Sequence, residues 1–181
     1  MNLGWLHPPT GTKASPQEIL LPVRGWYIAL TLLTALVIDL LALPALVQQV
    51  RPDFIALTLV YWVVYHPRRV GFLPAWVLGL TMDVADGSLF GQHALAYAVL
   101  MYLAILFHRR IVMFGMRQQV LHVLAILLAS QVIMLGVRLM AGAEFPGPLY
   151  FLSSLFGAAL WPVLFNVIRI PLRPRADPDA A

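Results

Sequence analysis

The chain has 181 residues, of which 61% are apolar and only 11% charged, against roughly one-quarter charged in soluble domains. A water-soluble globule of this length needs a charged shell, and the long uncharged runs leave nothing to build one from. The balance of 12 Lys+Arg over 8 Asp+Glu gives a net charge of +4, but in a lipid-embedded chain the placement of charge matters more than its sum, so nothing here argues for a nucleic-acid partner.

Taken in chain order, residues 1–24 hold four prolines, Lys13 and Glu18 without a long apolar run. They predict a flexible cytoplasmic tail rather than a cleavable signal peptide, which makes the first span an uncleaved anchor. A spanning helix takes about 20 mostly apolar residues, and segments 25–46, 89–107, 120–140 and 149–168 come close to that requirement. Segments 54–65 and 70–82 are apolar but too short to cross about 30 Å of hydrocarbon at 1.5 Å per residue. Short helices in thinned lipid and a hairpin shielded by its neighbours both account for them. His66-Pro67-Arg68-Arg69 lies between the two, and arginines at membrane depth are costly, which favours two spans with a cytoplasmic tip. The reading is therefore an all-α, polytopic membrane helix bundle of about six transmembrane helices forming one domain over residues 25–169. Residues 170–181, with three prolines and alternating charges, predict a disordered cytoplasmic tail.

Orientation follows from the basic residues of the short loops. With the amino terminus inside, Lys13, Arg24, Arg68, Arg69, Arg109, Arg110, Arg117, Arg169, Arg173 and Arg175 collect on the cytoplasmic side, and only Arg51 and Arg138 lie outside. Both termini are placed in the cytoplasm on that asymmetry. Pro44 and Pro162 predict bends, which need neighbours or Ser/Thr side chains to satisfy the freed carbonyls, and Pro74 falls in the third span.

Ionisable residues within spans are the first candidates for chemistry. Asp39, Asp83 and Arg138 all fall toward the outer leaflet, where a carboxylate could pair with Arg138, while His122 lies at an inner end. Solvation at the interface accounts for them equally well. Asp83 and Asp86 are three apart and share a helix face, as paired acids for catalysis or ion binding would, but Gly87 and Gly91 indicate that the helix ends there. Ser88 and His93 could serve as nucleophile and base, although such groups beside a turn more often satisfy backbone. The five histidines show no metal-binding spacing, no phosphate loop is present, and the absence of cysteine excludes disulfides and thiolate chemistry. No metal or cofactor is expected. Gly71, Gly79, Gly87 and Gly91 offer surfaces for close helix approach, either within the bundle or toward a partner.

Arg51-Pro52-Asp53-Phe54, Tyr61-Trp62, Arg69-Val70-Gly71-Phe72, Gly79-Leu80 leading to Asp83-Val84, and Gly87-Ser88-Leu89-Phe90-Gly91-Gln92-His93-Ala94-Leu95 follow one another, with Gln118-Gln119 opening the fifth span. In this order the chain resembles the bacterial rod shape-determining MreD family, most densely over residues 51–119. The resemblance implies an inner-membrane component of the elongation machinery with no reaction of its own. Its implied partners are the single-span scaffold MreC, the wall-synthase polymerase and transpeptidase, the MreB filament and membrane lipids; a homo-oligomer is left open. It also implies a bundle shaped like the substrate-binding subunits of energy-coupling-factor transporters. Arg51, Pro52, Asp53, Asp83 and the turn from Gly87 through Gly91 to His93 would shape the outer surface. Arg109 and Arg110, with Arg117, would face filament or anionic lipid inside, although topology determination is the plainer account of these arginines. The tail before the first span, the His-Pro-Arg-Arg order at the tip and Asp86 depart from the family pattern. The alternative is a small-molecule-binding membrane subunit of a transporter, with the outer carboxylates and His93 lining its pocket; an intramembrane hydrolase lacks a complete site.

Overall fold

The computed structural model describes residues 23–172, in which every regular element is helical. The helices are α1 (Gly25–Asp39), α2 (Ala45–Val50), α3 (Phe54–Tyr65), α4 (Phe72–Ala85), α5 (Gln92–Met113), α6 (Met116–Met140) and α7 (Leu152–Arg169), with 3-10 turns at Pro148–Phe151 and Ile170–Leu172. The predicted tails fall outside the described residues from 1 to 22 and from 173 to 181. Ile170–Leu172, assigned to the second tail, instead closes the last helix and buries Leu172.

The architecture follows from α3. Its sequence is apolar on every side, and Ile55 through Val64 are all buried, as a helix without a polar face must be. It packs against α1, α5, α6 and α7, while α4 lies outside and packs on α5. Twelve residues rise only about 18 Å, but α3 is sheltered along its whole length by protein. The two short segments are thus different objects: α3 is shielded by its neighbours, and α4 keeps Leu73, Trp76 and Val77 exposed. Helices α5, α6 and α7, the last with its flanking 3-10 turns, are long and apolar enough to cross a membrane. Outward-facing Trp26, Leu30, Leu33, Tyr102 and Leu106 are exposed, an apolar surface suited to lipid rather than water.

The first predicted span is shorter than its apolar run. α1 stops at Asp39, the chain runs unhelically through residues 40–44, and Pro44 becomes the N-cap of α2. A proline disfavours helical backbone at the residue before it, so Pro44 breaks the segment where a bend was expected. Pro162 leaves α7 continuous, and the Asn166 side chain donates to the Pro162 carbonyl at 2.8 Å. Pro74 sits in the first turn of α4, where no intrahelical bond is lost.

At the end of the bundle carrying Arg68, Arg69, Arg109, Arg110, Arg117 and Arg169, aromatic side chains close the interior. Tyr61, Trp62, Tyr65, Trp161 and Phe165 stack edge to face or tilted. Three of their polar handles find acceptors: Trp62 Nε1 donates to Thr31 Oγ1 at 2.8 Å, and Tyr65 Oη and Trp161 Nε1 both donate to Gln119 Oε1. His66, at the α3–α4 tip, lies against Trp62, and burial together with the Arg69 charge holds its imidazole below the usual range.

The α4–α5 contact is made backbone to backbone. A Cβ on Gly79 would lie 2.5 Å from Ala94 Cα and 2.6 Å from Ala94 N, so this glycine is used inside the bundle. Gly79→Ala should lower the unfolding midpoint of the detergent-solubilised protein at a cost of about 1 to 3 kcal/mol, the scale of overpacking. Gly136→Ala, whose Cβ meets nothing within 4 Å, should leave the midpoint unchanged or slightly raised. Equal midpoints in thermal denaturation would show that the crossing yields freely.

Candidate functional site

Opposite the aromatic end, the bundle opens into a polar cleft of about 720 Å³ between the ends of α1, α4 and α6 and the starts of α3, α5 and α7. Its geometry is set by the first turns of two helices. A helix begins with N–H groups that have no partner within it, and in an apolar surrounding each must be paired.

For α3 the acceptors come from two elements. Asp53, the N-cap, accepts from Ala56 N at 2.7 Å through Oδ1, and its Oδ2 accepts from the Tyr97 hydroxyl at 2.8 Å. Asp39, at the end of α1, accepts from Ile55 N at 2.8 Å and Phe54 N at 3.3 Å. Arg51 then binds the assembly, its Nε 3.9 Å from Asp39 Oδ1 and its Nη1 donating to Leu41 O at 3.0 Å. Pairing with Arg138 was one of two readings of the outer-leaflet carboxylates; the structure puts Arg51 beside Asp39 instead, because the break after Asp39 folds the chain back to bring residue 51 alongside. Arg138 has no carboxylate within 4 Å among the described residues and is exposed at the cleft.

For α5 the acceptor is Asp83. Its Oδ2 takes Gly91 N at 2.8 Å, and its Oδ1 takes His93 N at 2.7 Å, His93 Nδ1 at 2.8 Å and Ser88 Oγ at 3.1 Å. A carboxylate has about four acceptor sites, and Asp83 accepts four bonds, three of them on Oδ1. The turn that makes this reach needs left-handed backbone at Gly87 (φ 59°) and Gly91 (φ 98°), which glycine adopts without a Cβ penalty. Asp86 ends α4, as the glycines indicated, and its Oδ2 lies 3.7 Å from His93 Nε2.

The Ser88–His93–Asp83 group therefore lacks the geometry of a nucleophilic triad. There the carboxylate and the nucleophile occupy opposite ring nitrogens, whereas here Ser88 Oγ lies 3.4 Å from Nδ1, the atom already held by Asp83.

Of the residues singled out in the sequence, Arg51, Pro52, Asp53, Gly87 and His93 line the cleft, and Asp83 and Gly91 hold its rim. Arg109 and Arg110 do not join them. They lie at the far end of α5, roughly 24 Å along the helix from His93, where cations suit the carbonyl end of the helix dipole. Tyr97, Ser130, Gln131 and Ser154 escaped sequence reasoning. Gln131 bridges α6 to the start of α7, donating to Tyr150 O and accepting from Ser154 Oγ. A glutamine in the middle of the apolar run 120–140 was the signal available.

Comparison with known proteins places these features in a family. A family model described as rod shape-determining protein MreD matches residues 23–170. The rod shape-determining protein MreD of Haemophilus influenzae is 34% identical over 82 residues, covering 45% of this chain and 51% of that protein. The chain thus spans about half the length of this curated relative. No solved structure matches, so the likeness to energy-coupling-factor subunits rests on the sequence resemblance alone.

Removing a cap leaves buried N–H groups without acceptors. Asp83→Ala and Asp39→Ala should each lower the unfolding midpoint, by about 0.5 to 2 kcal/mol for the lost cap, with more where the orphaned groups stay dry. Asp86→Ala, which removes only a distant contact to His93, should change it little. An Asp83→Ala midpoint equal to wild type in detergent would mean that this carboxylate does not hold α5.

Proposed function

Because the chain belongs to the rod shape-determining protein MreD family, we propose that it is a non-enzymatic inner-membrane adaptor of the rod elongation complex. In this reading it links an MreC-type scaffold and the wall synthase to an MreB-type filament, with both termini cytoplasmic. The observation that carries the reading is the fate of the buried acids. Asp39, Asp53 and Asp83 are occupied by backbone N–H groups, hydroxyls and His93, which leaves them as structural caps rather than free proton acceptors.

The distribution of charge supports the proposed orientation. Arg68, Arg69, Arg109, Arg110 and Arg117 gather at one end of the bundle and the capped cleft at the other, so the basic end faces the cytoplasm under the positive-inside rule. The exposed apolar faces of α1 and α4 gain nothing from leaving lipid, so a partner's span would be held there by packing and polar contacts.

Affinity purification of the tagged, full-length protein from gently solubilised cells tests the proposal, with cell shape scored on depletion. A periplasmic scaffold and wall-synthase subunits should co-purify, and rod-shaped cells should round. Recovery of a coupling ATPase module with shape unchanged would replace the adaptor by the transporter-subunit alternative.

A further inference from the structure

The cleft holds polar groups that neither cap nor brace a helix. Ser130, 2% exposed, and Gln92, 6% exposed, both line it, and among the described residues neither side chain has a hydrogen-bond partner. The residues are buried but their polar atoms open to the cleft, where they can pair with the donors and acceptors of a molecule that enters. Beside them stand the Asp86 carboxylate, the Tyr150 and Ser153 wall, and Arg138, a cation with no carboxylate within 4 Å among the described residues.

A second cavity adjoins the first. It is an apolar groove of about 490 Å³ between the α1–α2 break and α7, lined by Ile38, Leu41, Val47, Phe54, Phe156 and Leu160 among others. Arg51 and Pro52 belong to the walls of both cavities. A polar chamber next to an apolar one, at the end of a membrane bundle, matches an amphiphile with its head in the first and a chain in the second.

We propose that the cleft binds the hydroxyl-bearing phosphate head group of a membrane lipid. The guanidinium of Arg138 pairs with the phosphate, a group whose recognition favours arginine. Ser130, Gln92 and Asp86 take the head-group hydroxyls, since hydroxyls both donate and accept. The chamber volume falls in the range of ordinary small-molecule sites and far exceeds the size of a bare phosphate. Carboxylates around the rim weigh against a purely anionic ligand and favour one with donors of its own. The site does not depend on the adaptor reading and would serve equally in a protein with other partners.

The test uses the full-length protein in a neutral detergent, with thermal unfolding read against added short-chain lipids. Dioctanoyl phosphatidylglycerol should raise the midpoint of the wild type in a saturable way. Dioctanoyl phosphatidic acid, with the same chains but a phosphate monoester of higher charge and no glycerol hydroxyls, should require a higher concentration. Arg138→Gln and Ser130→Val should each weaken the phosphatidylglycerol effect by roughly tenfold or more, the scale of one hydrogen bond to a charged or buried group. Both variants must first unfold cooperatively without lipid, and Arg138, being exposed, is the safer of the two. Soluble glycerol 3-phosphate giving the same saturable shift would overturn the lipid assignment in favour of a free polyol phosphate. No shift, or an equal shift in wild type and both variants, would overturn the site. None of these outcomes depends on which proteins co-purify, so failure here is separable from failure of the adaptor reading.

Discussion

A helix with protein on every side, inside a membrane bundle, must find acceptors for the N–H groups of its first turn, because neither lipid nor the packed interior supplies them. For α3 those acceptors are the carboxylates of Asp53, its own N-cap, and Asp39, brought from the end of α1. Much else follows from this requirement. α1 has to end where Asp39 can reach Phe54 and Ile55, which shortens it to fifteen residues, and the chain from residue 40 to 53 has to double back. That return puts Arg51 next to Asp39 and seats Pro52 near Gly157 of α7, where an added Cβ would meet the proline ring at 3.8 Å.

The two ends of the bundle are built on opposite principles. At the basic end large rings fill the interior, and two of their polar atoms converge on Gln119, which accepts from Tyr65 and Trp161 while donating to Phe114 O. Aromatic groups with a paired polar handle give a dry and closely fitted closure. At the other end the side chains are shorter and polar, and the helix starts are held by hydrogen bonds to acidic side chains, which leaves room between them. Rigidity and openness coexist there because the acids that cap the helix starts hold the rim without filling it.

The helical character, the segment 54–65 and the ending of α4 near Gly87 were all legible in the sequence, since each rests on local composition or on glycine chemistry. The resemblance to the MreD family was legible too, from the ordered motifs between residues 51 and 119 that the family match extends to residues 23–170. What composition could not give was pairing. Asp39 sits in an apolar run that predicts helix through residue 46; only the tertiary demand of α3 for acceptors, together with Pro44, explains why the helix stops seven residues earlier. Likewise, Arg51 and Arg138 look equivalent as outer-leaflet arginines, and their different fates depend on a chain reversal that hydropathy does not encode. Gly79 and Gly71 also look alike in sequence, yet one meets Ala94 at a distance no side chain tolerates and the other faces open space.

Acidic pairs, a serine and a histidine within ten residues describe equally well an enzyme's working groups and the cap of a buried helix. Which of the two they are is decided by the occupancy of lone pairs. Their partners here are those of a cap: Asp83 accepts from Gly91, His93 and Ser88, and Asp39 accepts from the Phe54 and Ile55 N–H groups with Arg51 alongside. In a membrane this outcome is the economical one, because a carboxylate that is not a cap has to be solvated some other way. The cleft-lining groups that cap no helix thus include Ser130, Gln92 and Asp86, together with the exposed Arg138. Such a set offers hydrogen-bond donors and acceptors of both kinds and a guanidinium side by side.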